Sequence, residues 1–423
     1  MLRASTTTVR NSTRLARSFA TVVDSASGVK VAAIDNGQPT SAVTFLVKAG
    51  SRFENKPGVA HALKNFAFKS TNTRSALGTV RESELYGGVL TSSLSREHLA
   101  LTAEFLRGDE EYFVDVLASF ITGARLPRHE LNELVLPLVE ADSVAASNDP
   151  TTKALEAAHT IAFRHGLGAS LFATQHPSFT IDDIKTFATS AFSSGNIAVL
   201  GTGIDQAKLS KLVEKFLGKI PSSSSAATPS TKYYGGETRV ESTNPLQTVF
   251  IGFGTTGAPS NDLAALASHV APEPHVKWSK GISPISEATP SGTTVQTVYL
   301  PYSDATLFGV LIQGENAADT KTAAQAVVKV LKSQVSETDA KKAVAKAKFR
   351  AASEADSRDG VVSLLGNKVF AGADASIETT LSSFDAVTPS SISSAASKLL
   401  KTKPTYVVVG DITALPYADE VGL

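Results

Sequence analysis

Cysteine is absent from all 423 residues. Its absence excludes disulfides, thiolate zinc sites, iron–sulfur clusters and a cysteine nucleophile together. Long apolar runs are missing as well: nothing approaches the ~18 consecutive apolar residues that read as a membrane-spanning helix. Net charge is lacking, since 40 Lys and Arg offset 40 Asp and Glu, whereas a nucleic-acid binder carries a basic surplus. Charged residues make up 19% of the chain, below the ~25% usual in globular proteins. Hydrophobic residues make up 42%, which excludes disorder of the whole chain and allows a large core. The length suits about three average domains.

The first segment reads as an address. Residues 1–23 hold four Arg, eight Ser or Thr and no acid. At about 100° per residue, Arg3, Arg10, Arg14 and Arg17 share one helix face, with Leu2, Val9, Ala16 and Phe19 opposite. An amphipathic, Arg-rich, acid-poor start is that of a mitochondrial transit peptide. A secretory signal needs an uninterrupted apolar stretch, and Arg14 and Arg17 break the only candidate. The tail Arg17-Ser18-Phe19-Ala20-Thr21 resembles a matrix-processing site and places the mature start near Ala20. Residues 1–27 are therefore expected to be transit peptide and N-terminal arm.

The remainder has two halves of similar grammar. In the first, a strand over 41–49 precedes a helix after Pro57-Gly58 and a second helix over 81–86. Strands follow at 89–94 and 98–106, then helices at 110–121, 129–147 (containing Pro137), 151–164 and 181–193, and a strand at 196–200. The second half repeats the order. A strand at 246–253 leads to a helix over 260–270, with Ser260 placed to cap it. Strands at 294–300 and 306–313 precede helices at 317–335 and 338–355, and the half closes with a helix at 389–400 and a strand at 406–409. Blocks 181–202 and 384–410 align by eye. The pattern predicts an α+β fold of two homologous halves, each a mixed or antiparallel sheet packed with helices. Each half is expected to present one open sheet and a helical layer. Between them, Pro221-Ser-Ser-Ser-Ser-Ala-Ala-Thr-Pro229 reads as a linker. The expected domains are 28–218 and 237–423, joined through 219–236.

Gly252, Gly254 and Gly257 spell G-x-G-x-x-G after a strand, the dinucleotide fingerprint at face value. Pro259 and Ser260 separate the last glycine from its helix, and Pro272-Glu273-Pro274 stands where a second strand should begin, so the context argues against it. His159 and His165 are six apart on different helix faces, and prolines separate His269 from His275. No G-x-S-x-G elbow supports a serine hydrolase. The basic run Lys341, Lys342, Lys346, Lys348 and Arg350 reads as a solvated helix face.

The informative stretch is Gly58-Val-Ala-His61-Ala-Leu-Lys64-Asn65-Phe66-Ala-Phe68-Lys69-Ser70, followed by Glu84-Leu85-Tyr86-Gly87-Gly88 and Ser95-Arg96-Glu97. It resembles the pitrilysin-type (inverzincin, M16) metallopeptidase family, in which two His and a distal Glu bind zinc and a Glu beside the second His is the general base. Three ligands leave one position for a water that the metal acidifies, and the carboxylate takes its proton. By this resemblance His61 matches the first ligand and Glu140 the distal one, by spacing. The second His is Asn65 and the base is Lys64. Asn is a poor zinc ligand, and an ammonium accepts no proton and repels a cation. The resemblance thus implies a degenerate site, with no catalytic residue, metal or other cofactor.

The resemblance spans about Ser27 to Thr413. Mitochondrial members of the family without the zinc site are of two kinds. One is the α subunit of the matrix processing peptidase, marked by a glycine-rich loop in the second half. The other comprises the core proteins of ubiquinol–cytochrome c reductase, complex III of the respiratory chain. The stretch from His275 to Ala288 has one Gly, and its pattern looks like the second kind. That likeness implies a structural, non-catalytic subunit without a redox centre, peripheral on the matrix side of the inner membrane. The partners it implies are core protein 1, cytochrome b, cytochrome c1 and the Rieske protein, in a dimeric complex. The processing-peptidase subunit is the alternative; an active metallopeptidase is the third reading, opposed by Lys64 and Asn65.

Overall fold

Successive residues of the central strands belong to different cores. The computed structural model describes residues 23–24, 28–35, 37–222, 230–272, 283–371 and 376–423. In β3 (Thr40–Val47), Val43, Phe45 and Val47 enter one core while Leu46 enters another. Period-two alternation sends neighbours to opposite faces, so a strand apolar at both parities must be covered on both sides.

The first half contributes β1 (Val23–Asp24), β2 (Lys30–Ile34), β3, β4 (Val89–Leu94), β5 (Leu99–Leu106) and β6 (Ile197–Thr202). Their order in the sheet is β1-β2-β6-β3-β5-β4. The second half contributes β7 (Gly236–Glu241), β8 (Gln247–Thr256), β9 (Thr294–Pro301), β10 (Ala305–Gly314) and β11 (Thr405–Gly410), ordered β7-β11-β8-β10-β9. Apart from β1 the two orders are the same. The pairing sense also repeats, with β2–β6 and β7–β11 parallel and the other pairs antiparallel. The duplication read from the sequence is thus a duplication of topology, and the fold class is as expected.

The helices of the first half are α1 (Val59–Asn65), α2 (Ala76–Leu85), α3 (Glu110–Gly123), α4 (Arg128–Glu130), α5 (Leu136–Asn148), α6 (Pro150–Phe163), α7 (Ile181–Ala191) and α8 (Gln206–Leu217). Those of the second are α9 (Asn261–Val270), α10 (Pro284–Ala288), α11 (Ala317–Lys332), α12 (Glu337–Glu354), α13 (Arg358–Ala371), α14 (Ile377–Ser383) and α15 (Pro389–Leu400). Equivalent helices carry equivalent signals. α7 and α15 both open on a threonine capping box, at Thr180 and Thr388, a device worth about 1 kcal/mol. Ser260 caps α9 as its position predicts, accepting the Asp262 N–H at 3.2 Å.

Some elements differ from the sequence reading. The helix expected over 81–86 begins at Ala76, because Ser75 caps it by accepting the Gly78 N–H. The helix expected over 129–147 is three pieces. A π turn at Leu131–Val135 separates α4 from α5, directly before Pro137, whose missing N–H disturbs the regular ladder. Strands β1, β2 and β7, and helices α8, α10, α13 and α14, have no counterpart in the sequence reading.

The sheets are not open on their second face, contrary to expectation. α6 leaves the first half and lays Ala154, Ala158, Ala162 and Phe163 on Phe250, Leu307, Leu311, Val407 and Val409 of the second sheet. Its equivalent α13 makes the reverse journey, setting Val361, Leu365 and Val369 on Ala32, Leu46, Ala100, Ala198 and Leu200. Residues 1–22 and 25–27 of the expected transit peptide and arm, 223–229 of the expected linker over 219–236, and the stretch 273–282 lie outside the described residues.

Candidate functional site

α1 is placed by two devices. Gly58 has φ of 88°, and a Cβ there would stand 2.6 Å from the Ala173 Cβ, so only glycine fits the bend and the close approach. Glu54 lies over the open end of the helix and accepts the N–H groups of Gly58 at 3.1 Å and Ala60 at 3.2 Å. Burial outweighs those hydrogen bonds and pushes the Glu54 carboxyl up to about 7.

On α1, His61, Lys64 and Asn65 stand at i, i+3 and i+4 and share one face. All three converge on a single carboxylate oxygen, Oδ2 of Asp142 on α5. His61 Nε2 lies at 3.1 Å, Lys64 Nζ at 3.1 Å and Asn65 Nδ2 at 3.4 Å. Burial opposes the charge on Asp142, yet the hydrogen bonds from His61 and Lys64 prevail and hold its pKa below the ordinary value. Burial also lowers the His61 pKa, against the pull of Asp142, which keeps the ring neutral. The Ala173 N–H donates to His61 Nδ1 at 3.2 Å. The ring proton therefore sits on Nε2 and is donated to Asp142.

Both imidazole nitrogens are thus engaged, one as acceptor and one as donor. The remaining groups on that face are an ammonium and an amide. These residues do not fit a three-ligand zinc site: His61 has no lone pair to offer, and Lys64 holds positive charge where a metal would lie. Among the described residues, no group of three His, Cys, Asp or Glu could hold a metal ion. The cleft in front of the cluster, about 570 Å³, is lined by His61, Lys64, Ser93, Asp142, Asp149 and Phe172 among others.

Of the residues taken from the family pattern, the structure brings His61, Lys64 and Asn65 together and leaves Glu140 outside. Glu140 is exposed and precedes Asp142 by two residues, about 200° around a helix of 3.6 residues per turn. Spacing along the chain did not register the phase of α5, which follows a π turn. Asp142 itself was missed, although a signal existed: a lysine packed beside a histidine on a buried helix calls for an acid nearby.

The other motifs resolve structurally. A Cβ at Gly252 would meet the Phe250 ring at 2.4 Å, and one at Gly254 the Tyr233 ring at 2.3 Å, so these glycines make room for aromatic rings. The basic run on α12 is ion-paired, Lys341 to Glu337 at 2.8 Å and Arg350 to Glu354 at 3.0 Å. His159 is buried and locally bonded. Its Nδ1 donates to the Leu155 carbonyl, so Nε2 accepts from the Tyr302 hydroxyl, both at 2.7 Å.

Residues 30–175 match the family described as Insulinase (Peptidase family M16), and residues 178–347 match Peptidase M16 inactive domain. A Cryptococcus neoformans protein, Cytochrome b-c1 complex subunit 2, mitochondrial, is 47% identical, with 94% of each chain covered. A Yarrowia lipolytica protein of the same description is 37% identical over 96% of this chain and 97% of that one. Among solved structures, a protease from Helicobacter pylori superposes with a TM-score of 0.80 at 19% identity, covering 93% of this chain and 99% of that one. That likeness is one of fold.

Proposed function

We propose, on the premise that this chain belongs to the insulinase-type peptidase family M16, that it serves as a non-catalytic core subunit of the mitochondrial cytochrome b-c1 complex. The observation that carries this reading is similarity along nearly the whole of both chains to relatives described as subunit 2 of that complex. The chain is not an enzyme in its own right, and the Lys64–Asp142 pair gives the physical reason. A peptidase of this family needs a metal-bound water and a base beside it. Here the base position carries a lysine that donates to Asp142, and the histidine is committed to hydrogen bonds.

The chain resides in the mitochondrion. No helix among the described residues is long and apolar enough to cross a membrane, which agrees with peripheral attachment. The finer picture is a subunit on the matrix side, mature from near Ala20. Its domains at 28–218 and 237–423 pack against core protein 1 and, through it, stand with cytochrome b, cytochrome c1 and the Rieske protein in a dimeric complex. The processing-peptidase reading is not favoured, since the named relatives are b-c1 subunits.

Deletion of the gene, followed by native gel separation of mitochondrial extracts, tests the reading. Loss of the assembled b-c1 complex and of ubiquinol–cytochrome c reduction, with presequence removal intact, is the expected result. Intact respiration with uncleaved matrix precursors would overturn it.

A further inference from the structure

The two halves meet at equivalent points of their duplicated topology. The β4–β5 hairpin turns through Arg96 and Glu97, closed by the Ser95 N–H on the His98 carbonyl at 2.8 Å. The β9–β10 hairpin turns through Ser303 and Asp304, closed by the Tyr302 N–H on the Ala305 carbonyl at 2.8 Å. The tips touch. Glu97 Oε2 accepts the Ser303 N–H at 2.9 Å, and Oε1 accepts the Ser303 hydroxyl.

Arg52 stands beside both tips. Its guanidinium meets Asp304 through two parallel hydrogen bonds of 2.7 and 2.8 Å and reaches Glu97 at 2.8 Å. The same group donates to Thr231 Oγ1 at 3.1 Å, so the described end of the linking segment is drawn in as well. The side chains of Arg52 and Glu97 are 3% and 5% exposed. A bidentate guanidinium–carboxylate pair is directional, and burial makes its geometry stringent. Arg96, in the first tip, turns away to Glu156 on the crossing helix α6 at 2.6 Å. Gly50 permits the approach of the tip to the segment bearing Arg52, since a Cβ there would lie 2.2 Å from the Arg96 carbonyl oxygen.

We propose that Arg52, Glu97, Ser303 and Asp304 form a clasp that fixes the angle between the two halves, so that the chain behaves as one rigid block without a hinge at its linker. α6 and α13 supply mainly apolar contact, pinned by single hydrogen bonds such as His159 to Tyr302 and Thr151 to Gln313, whereas the clasp adds a buried, bidentate ionic tie directly between the hairpin tips. The inference is independent of the assembly reading, because it concerns the isolated chain.

The lack of cysteine makes the test direct. Lys211→Cys on α8 and Ser397→Cys on α15, both exposed positions, give a full-length chain with one spin label in each half. Their distance distribution is read by pulsed electron resonance. The otherwise unaltered chain and an Arg74→Met control, which breaks the Arg74–Asp115 pair inside the first half, are expected to give one narrow population. Arg52→Met is expected to broaden the distribution at least twofold or add a second population. Asp304→Asn, a gentler change, gives a smaller broadening and carries the test if Arg52→Met does not fold. A broad or double distribution in the unaltered chain overturns the proposal, as does a folded Arg52→Met or Asp304→Asn chain that keeps the narrow one.

Discussion

α6 and α13 occupy equivalent places in the two halves, and each covers the other half's sheet, yet they do so with inverted volumes. α6 presents mostly alanines, Ala154, Ala158 and Ala162, to a bulky sheet surface of Phe250, Leu307 and Leu311. α13 presents Val361, Leu365 and Val369 to a surface built largely of Ala32, Ala100 and Ala198. The duplication kept the architecture and exchanged which side supplies the bulk. What is preserved is the filled volume between helix and sheet. A second contrast lies in α5 and α12, the helices before the crossing ones. α12 wears ion-paired lysines on its outer face, while α5 contributes Asp142 to the cleft.

Truncating the bulk on each side tests the inversion. Phe163→Ala removes the largest side chain α6 buries and should cost about 3–5 kcal/mol, against about 2–5 kcal/mol for Leu365→Ala on α13. Denaturant titration of both variants measures the pair. A negligible loss at Leu365 would make the exchange one-sided.

The next effect separates the first half's site helix from its surroundings by pH. An acid whose folded pKa is raised favours the folded state when protonated. The contribution of Glu54 is therefore complete below its ordinary 4.5 and is lost as pH rises through about 7. Glu54→Gln, which keeps an acceptor for the Gly58 and Ala60 N–H groups, should stabilise the chain at pH 8 by on the order of 1–3 kcal/mol relative to its effect at pH 4. Melting temperatures of both chains at the two pH values give the difference; a variant equally neutral at both would contradict it.

Weaker still is the outer face of α12. Lys341→Ala breaks an exposed i, i+4 pair and should cost no more than about 0.5 kcal/mol, again by denaturant titration. The smallest expected effect is on zinc. Calorimetric titration of the metal into the folded chain should show no stoichiometric tight binding, and one site removable by chelator would reinstate the family chemistry at His61.

Much of this was legible beforehand. The central strands β3, β8 and β10 announce themselves by length and apolar content, and α15 agrees with its expected bounds because Thr388 and Pro389 mark its start. α13 was not legible. Gly360 and Gly366 lower its helix propensity, and its apolar face answers to a sheet in the other half, information no local window contains. Strands β2 and β7 escaped because each is short or polar and is held by a parallel neighbour distant in sequence. At the site, the residue types implied a degenerate zinc site, whereas identification of the acid needed the rotation of α5. The clasp joins Arg52 to Asp304, and nothing near either residue points to the other.

The exchange of crossing helices has a consequence in time. A chain drawn into an organelle from its N-terminus delivers the first sheet, complete through β6 at Thr202, well before residues 358–371 arrive to cover it. During that interval Ala32, Leu46, Ala198 and Leu200 face solvent as a bare sheet surface, the kind of surface that promotes association with other unfinished chains. The contacts that end the exposure are among the most distant in the sequence, so they form late and slowly. The first half thus keeps one sheet face uncovered until residues 361–370 are in place.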